Sequence, residues 1–361
     1  MNVDIAQIAP RKTSIGRDVD VVFDSAKVTM FVPASNKWGG GKESKKVTVN
    51  RFIPVDDLFM EGLGLWRGEG GKKKGIYFGN SDVLLRKFLD FCEQRLGLQR
   101  TNFKVTLNVP KQKDEETVKL WSAKLHVPQD NFTKICVDSR TNFEYAQVYF
   151  NSIILADLMN CIYLHLKPVV SKSPEACVPF LRGLFAAEGS VLLKQSGVLH
   201  HITFSSKDDE LIQLLCESLR LVGVNPGKYM ENGMNLQIYG RRNFERIREL
   251  GIHTLHPSKR EKFERGFASY KRIDVLDGEE ARSLILQQLA SGPKTYDELA
   301  AALGKARTTI QAHHILVLEG RGLVRRAGKR GRGWLWELAE QPIDFSVVDF
   351  SEARSLTPAI S

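Results

Sequence analysis

Apolar side chains recur at three-and-four spacing in two segments, residues 84–96 and 210–222, and this period predicts an amphipathic helix in each. Short runs with the composition of strands lie before and after these helices. The strands are expected within 76–82, 104–109, 202–208 and 234–239, and further helices near 150–166 and 242–250. Helices and strands therefore alternate along the middle of the chain, which predicts an α+β fold.

The middle of the chain also contains an internal repeat. Residues 61–70 read EGLGLWRGEG and residues 180–189 read FLRGLFAAEG, and each has glycine, leucine and an aromatic residue at the same distance before a final Glu-Gly. The strand and helix patterns that follow the two segments correspond as well. The sequence therefore predicts the order αββαββα twice, with the repeats at 53–170 and 171–272.

Both repeated segments carry the signals of helix ends. Asp56 and Asp57 begin the first helix, and Ser173, followed by proline and glutamate, begins the second. Each helix is expected to end at its Glu-Gly pair, where Gly70 and Gly189 can adopt the left-handed conformation.

Small residues interrupt the apolar faces of these two helices, although glycine costs about 1 kcal/mol relative to alanine inside a helix. Such residues are accepted where another backbone must come close. We therefore expect the two helices to pack against each other through these small residues, which are Gly64, Gly68, Gly183, Ala186 and Ala187. This packing would place Glu69 beside Glu188.

With these motifs, the chain resembles the LAGLIDADG homing endonucleases in their single-chain form with two motif copies. The second copy is a close match and the first a looser one, and the resemblance covers roughly residues 53–270. It implies a pseudo-symmetric saddle that lies across double-stranded DNA, with the motif helices at its centre. It also implies that the last acids of the motifs, Glu69 and Glu188, bind Mg²⁺ and catalyse phosphodiester hydrolysis.

The chemistry of the two acids is consistent with that implication, because carboxylates can hold Mg²⁺ at a scissile phosphate. Two carboxylates brought together also repel each other unless a cation or a proton lies between them. The alternative interpretation is that each glutamate only ends a helix at the surface.

The hairpins after the two motifs differ in length. Sixteen positions separate Glu188 from Phe204, with a turn expected at Ser196–Gly197, whereas nine separate Glu69 from Phe78. The first hairpin therefore reaches only a short distance and can read few bases. Its lysines are expected to contact phosphates, as is one lysine of the second hairpin, or else to form a solvated loop; these residues are Lys72, Lys73, Lys74 and Lys194.

Residues 1–52 predict a β-hairpin extension, with strands at 20–23 and 26–32 around a basic loop at 36–46. In that loop, Trp38 could stack on a base or only anchor the loop. Residues 341–361 form a tail with no periodic pattern.

Residues 273–340 resemble a winged helix-turn-helix domain, with helices at 279–290, 295–304 and 306–319 and strands at 323–326 and 334–338. The third helix would enter the major groove with its N-terminal end. A wing rich in glycine and arginine, with no acid between Gly320 and Gly333, would contact phosphates or the minor groove. The expected DNA contacts are Arg307, Thr308, Thr309, Gln311, Arg325, Lys329, Arg330 and Arg332. The alternative use of such a domain is protein contact.

Composition adds that basic residues exceed acidic ones by 52 to 42, a formal net charge of +10. This excess suits a polyanionic partner, although a basic enzyme would also have it. No apolar run reaches the roughly 18 residues of a membrane span. The five cysteines are widely spaced and are expected to be reduced, in the cytoplasm or nucleoid, with no membrane partner.

Two functions stay open from the sequence. The first is a Mg²⁺-dependent, site-specific DNA endonuclease that uses Glu69 and Glu188 and acts as a monomeric pseudo-dimer. The second is a catalytically inactive DNA-binding transcription regulator. The retained acids favour the endonuclease, whereas the short first hairpin and the added winged helix favour the regulator. The sequence as a whole favours the endonuclease narrowly.

Overall fold

The computed structural model describes residues 1–34, 42–71, 73–110, 115–138, 143–227, 235–270, 278–331 and 333–339. The chain forms two compact units, Met1–Tyr270 and Lys271–Ser361.

The first unit mixes helices and strands. Its helices are α1 (Ile5–Ile8), α2 (Asp57–Glu69), α3 (Asp82–Gln94), α4 (Glu115–Leu125), α5 (Ile153–Val170), α6 (Pro174–Glu188), α7 (Asp209–Leu221), α8 (Arg241–Glu249) and α9 (Pro257–Ala268). Its strands are β1 (Asn2–Asp4), β2 (Asp20–Phe23), β3 (Lys27–Phe31), β4 (Val47–Asn50), β5 (Phe52–Pro54), β6 (Ile76–Asn80), β7 (Lys104–Val109), β8 (Phe132–Val137), β9 (Tyr145–Phe150), β10 (Gly189–Leu193), β11 (Leu199–Ser205) and β12 (Asn235–Ile238).

The N-terminal segment contains more structure than the expected hairpin. Strands β2 and β3 pair as predicted, β4 adds a third antiparallel strand, and β1 pairs with β5. The buried residues of these strands, such as Val28 and Val49, belong to the same core as the two repeats. Of the predicted basic loop at 36–46, the structure describes only residues 42–46. Trp38 lies outside the described residues.

The first repeat departs from the predicted αββαββα plan. Its sheet has the strand order β6-β9-β7-β8, and no strand lies between α2 and β6 in the described residues there. Strands β7 and β8 are parallel, with α4 between them in sequence. Parallel neighbours need a long crossover, and the unpredicted helix α4 supplies it.

The second repeat follows the plan more closely. Strands β10 and β11 form the expected hairpin, whose turn contains Gly197 in a left-handed conformation with φ of 81°. Strand β12 extends this sheet. Helix α9 was not predicted, because its sequence is dominated by charged residues and buries only Phe263 and Gly266.

The two motif helices, α2 and α6, pack closely at their glycines. A Cβ atom on Gly64 would lie 2.3 Å from the carbonyl oxygen of Phe180, and one on Gly183 would lie 2.1 Å from that of Glu61. A Cβ on Gly68 would lie 2.5 Å from the Ala187 Cβ. No side chain fits at these positions, so the backbones themselves form the contact.

The prediction of left-handed glycines at the ends of these helices was wrong. Gly70 has φ of −66° and Gly189 has φ of −74°, and both are extended. Glycine is needed there for space instead, because a Cβ would lie 2.3 Å from the Trp66 carbonyl oxygen or from the Phe185 ring.

One helix among the described residues, α5, is long and apolar enough to cross a membrane by length and composition. Half of its apolar stretch is buried inside the protein, as in the core helix of a globular unit. It begins at the cap residue Ser152, whose hydroxyl accepts a bond from the Leu155 amide.

The second unit has a winged helix-turn-helix arrangement. Its elements are α10 (Gly278–Ala290), β13 (Lys294–Thr295), α11 (Tyr296–Leu303), β14 (Val324–Arg330), β15 (Gly333–Leu338) and the helical run α12, made of Arg307–Thr309, the π-helical Ile310–Ile315 and Leu316–Gly320. Helix α11 begins at the cap residue Thr295 and ends at Gly304, as the sequence predicted. The structure adds that Thr295 forms a capping box with Glu298 and that Gly304 is left-handed. The wing strands are longer than predicted, because β14 continues through a bulge near Gly328 to Arg330.

Candidate functional site

The two motif glutamates lie at the C-terminal ends of α2 and α6, and both are half-buried. Burial raises the pKa of Glu69, and the negative charge of Glu188 adds to that increase. The Asn80 amide opposes it by donating a hydrogen bond of 2.7 Å to Glu69 Oε2. The acids are therefore close enough to influence each other's ionisation.

A lysine that the sequence did not indicate completes this cluster. Lys259, in the first turn of α9, donates hydrogen bonds to the last carbonyl oxygens of α6, at 2.7 Å to Ala186, 3.1 Å to Ala187 and 3.3 Å to Phe185. Its burial lowers the pKa from 10.5 to about 8, against the attraction of Glu69 and Glu188. The Lys259 ammonium thus caps the C-terminal end of α6, and its positive charge attracts both acids.

His256, the residue before α9, carries no charge near neutral pH. Burial and the neighbouring Lys259 lower its pKa to about 4. Of these two neighbours, Lys259 therefore carries the positive charge near the acids.

These residues fit Mg²⁺ poorly in this arrangement. Mg²⁺ prefers octahedral oxygen ligands, commonly one or two carboxylates together with water. Glu69 Oε2 already accepts the Asn80 amide, and the Ala187 carbonyl, next to Glu188, accepts Lys259. Lys259 is a cation that attracts both acids without any metal.

Ion pairs connect the two repeats beside the glycine contact. Arg182 of α6 pairs with the buried Glu61 of α2 at 2.5 Å, and Lys87, from the same repeat as Glu61, pairs with that carboxylate at 2.7 Å. Arg67 of α2 pairs with Asp208, the cap residue of α7. Ion pairs therefore join the two repeats in addition to the close backbone contact of α2 and α6.

The predicted hairpin lysines lie at the surface. Lys73 and Lys74 are exposed after the first motif, and Lys194 is exposed at the β10–β11 turn. Lys72 lies outside the described residues. Of the described lysines, Lys73, Lys74 and Lys194, the structure brings none to Glu69.

The third helix of the second unit presents most of its predicted contacts to solvent. Arg307, Thr308 and Gln311 are exposed, whereas Thr309 is half-buried. Arg307 pairs with Asp297 at 3.3 Å. His314 is buried, and burial lowers its pKa, so this histidine packs in the core.

The wing is less strongly charged than its sequence suggested. Acids from other elements pair with its arginines, at 2.8 Å for Arg325 with Glu337 and for Arg330 with Glu298. Lys329 lies over the Trp334 ring, 4.6 Å from its centre. Arg332 lies outside the described residues. Exposed pairs contribute little stability, so a phosphate could replace these carboxylates.

Two paired helices meet at glycines and each end in an acid, and a separate winged helix follows. This arrangement is LAGLIDADG-like, with a C-terminal helix-turn-helix. Family comparison agrees with this class. Residues 175–250 match the LAGLIDADG-like domain, and residues 279–326 match the bacterial regulatory protein, arsR family, helix-turn-helix. The chain is thus similar to these two domain types over those residues.

Solved structures of the same class are similar to this chain at low identity. The N-terminal LAGLIDADG domain of DUF199/WhiA matches with 15% identity and a TM-score of 0.35, over 57% of this chain and 86% of that one. Full-length DUF199/WhiA from Thermatoga maritima matches with 15% identity and a TM-score of 0.33, over 74% and 91%. The homing endonuclease I-DmoI in complex with DNA and Mn matches with 13% identity and a TM-score of 0.33, over 55% and 97%. No curated protein matches the chain.

Proposed function

We propose that this protein binds specific sites on double-stranded DNA and regulates transcription there without cutting the DNA. The observation that carries the DNA-binding part is the presence of a LAGLIDADG-like unit and an arsR-type helix-turn-helix in one chain. Each unit offers its own contacts, the β10–β11 hairpin in the first and the exposed start of α12 in the second. The net charge of +10 supports a polyanionic partner.

The absence of cutting is proposed from the acid pair. In-line hydrolysis of a phosphodiester by this class of site needs a metal to activate water and to stabilise the leaving oxygen. Lys259 neutralises part of the charge that would attract such a metal, and it occupies the Ala187 carbonyl beside Glu188. An ammonium group can stabilise negative charge but cannot generate hydroxide from bound water.

One observation favours the second candidate, a Mg²⁺-dependent endonuclease. Glu69 and Glu188 converge from two repeats, and proteins rarely bring two carboxylates together without use. This candidate requires Lys259 to move away when DNA and metal bind. Mg²⁺ therefore stays a prediction for this chain.

The nucleic-acid preference is tested by titrating labelled duplex DNA, single-stranded DNA and double-stranded RNA of one mixed sequence with the purified protein in EDTA. Duplex DNA should bind most tightly, because the major groove of B-form DNA admits a helix or a two-stranded ribbon, whereas that of RNA is too narrow. Equal affinity for all three, or tighter binding of RNA, would overturn the proposal.

A further inference from the structure

A basic groove lies in the first unit between the N-terminal sheet and the loop after the first motif. It consists of two adjoining cavities of about 270 Å³ and about 530 Å³, which share Lys74 and Asn151. Ser44 and Val47 of the N-terminal segment line one side, and the glycines after Glu69 line the far end.

The charge of this groove has one sign. Its described lining residues include Arg17, Lys45, Lys73 and Lys74 and no carboxylate. All four side chains are exposed, and in the part of the chain that the structure describes none of them makes an ion pair. Lys45 lies over the Phe150 ring, 5.2 Å from its centre. The arginines of the wing differ from these cations, because carboxylates already neutralise Arg325 and Arg330.

The groove lies beside the place where the first repeat lacks a hairpin. In the second repeat, β10 and β11 form a full hairpin directly after Glu188, but the first repeat has only the segment 70–75 between Glu69 and β6. The N-terminal sheet lies beside that short segment. The loops before β2 and between β3 and β4 add Arg17 and Lys45 to the lysines there. Cations there would extend the first half of the saddle where its own ribbon is missing.

We infer that this groove binds the phosphate backbone of double-stranded DNA, and that the N-terminal sheet replaces the missing ribbon of the first repeat. The inference rests on the proposed function and deepens it. The expected contacts are to phosphates and not to bases, because lysine and arginine side chains neutralise backbone charge without reading sequence.

The test compares Arg17→Ala/Lys45→Ala with wild type in binding to a long duplex of mixed sequence over a series of salt concentrations. The matched control is Lys119→Ala/Lys172→Ala, which removes two exposed cations from the same unit, on α4 and after α5. The backbone bonds between Thr13 and Arg17 do not depend on the arginine side chain, and circular dichroism verifies that each variant is folded.

The groove variant should bind more weakly, and its plot of log affinity against log salt should become shallower by about 0.9 for each phosphate that the protein no longer neutralises. The control should keep the wild-type slope. Lys73→Ala/Lys74→Ala, a second variant of the groove, should behave like the first.

Three other results would overturn the inference. If Arg17→Ala/Lys45→Ala keeps the wild-type affinity and slope, the N-terminal sheet makes no contact with DNA, while the proposed function stands. If the control is weakened as much as the groove variant, the effect is one of general charge. If wild type itself does not bind the duplex, the proposed function fails together with the groove.

Discussion

Two carboxylates at neighbouring helix ends repel each other unless a cation or a proton lies between them. In this protein the Lys259 ammonium is a cation that attracts both acids, and it donates hydrogen bonds to three carbonyl oxygens at the end of α6. Burial makes this arrangement costly for the lysine, whose pKa falls from 10.5 to about 8. At the scale of single residues, the acid pair is therefore already neutralised in part before any ligand arrives.

The first prediction follows from that lowered pKa. Between pH 8 and pH 10.5 the unfolded chain keeps the Lys259 proton while the folded protein releases it, so this lysine adds stability as the pH rises through that window. The free energy of unfolding of wild type should rise relative to Lys259→Met, by at most about 1.4 kcal/mol per pH unit. Chemical denaturation across the window measures it.

The control for this measurement is Lys262→Met, an exposed lysine on the same helix. Its difference from wild type should not change with pH. A constant difference for Lys259→Met as well would mean that Lys259 is not buried beside the acids.

The second prediction concerns Mg²⁺. Lys259→Met removes one positive charge that attracts Glu69 and Glu188, so Mg²⁺ should raise the melting temperature of this variant, increasingly with concentration over its dissociation constant. Wild type at the same ionic strength should not respond. Adding Glu69→Gln and Glu188→Gln to the lysine variant should abolish the response.

A wild-type protein that Mg²⁺ stabilises through Glu69 would instead support the endonuclease. The calorimetric comparison needs no DNA, so it can be made before any target sequence is known.

At the scale of elements, helices α2 and α6 can pack this closely only because glycines, which have no side chain, lie at their contact. A leucine at position 183 would drive its Cβ into the Glu61 carbonyl, which lies 2.1 Å from the place of that atom. Because the clash is with backbone, rotation of a side chain cannot relieve it.

Gly183→Leu should therefore lower the stability of the first unit by more than the roughly 1–3 kcal/mol that is typical of overpacking, or prevent its folding. Ala123→Leu is the control, since it adds the same side chain at an exposed position on α4. Thermal unfolding compares the two variants. Equal melting temperatures would show that the helices do not meet at Gly183.

Local signals predicted most of these elements. The caps at Asp56, Ser173 and Thr295 and the turn at Gly197 are fixed by residues within a few positions, so sequence alone located them. The parallel pairing of β7 with β8 depends on distant partners, and α9 carries too few apolar residues to show a period.

The contrast between local signals and distant contacts also explains which residues of the candidate site the sequence could predict. Each acid ends a recognisable motif, so Glu69 and Glu188 could be found in the sequence. Lys259 is one of several basic residues in a charged segment, and only the folded chain brings it to the end of α6. The acids that pair with Arg325 and Arg330 come from other elements, so the sequence overstated the free charge of the wing.

At the scale of the whole molecule, the central claim is specific binding of double-stranded DNA without cleavage. The net charge of +10 supplies general affinity for DNA, while α12 and the β10–β11 hairpin would supply the specificity. Two units with separate contacts would lengthen the recognised site. Neither contribution requires Mg²⁺.

The most direct measurement is selection of the full-length protein against a random duplex library, in parallel with EDTA and with Mg²⁺, followed by sequencing of bound and cut molecules. The account predicts one enriched motif in both conditions, recovered intact. The account would be contradicted if no motif were enriched in either condition. It would also be contradicted if cut DNA ends mapped within the motif only with Mg²⁺ and were absent with Glu188→Gln.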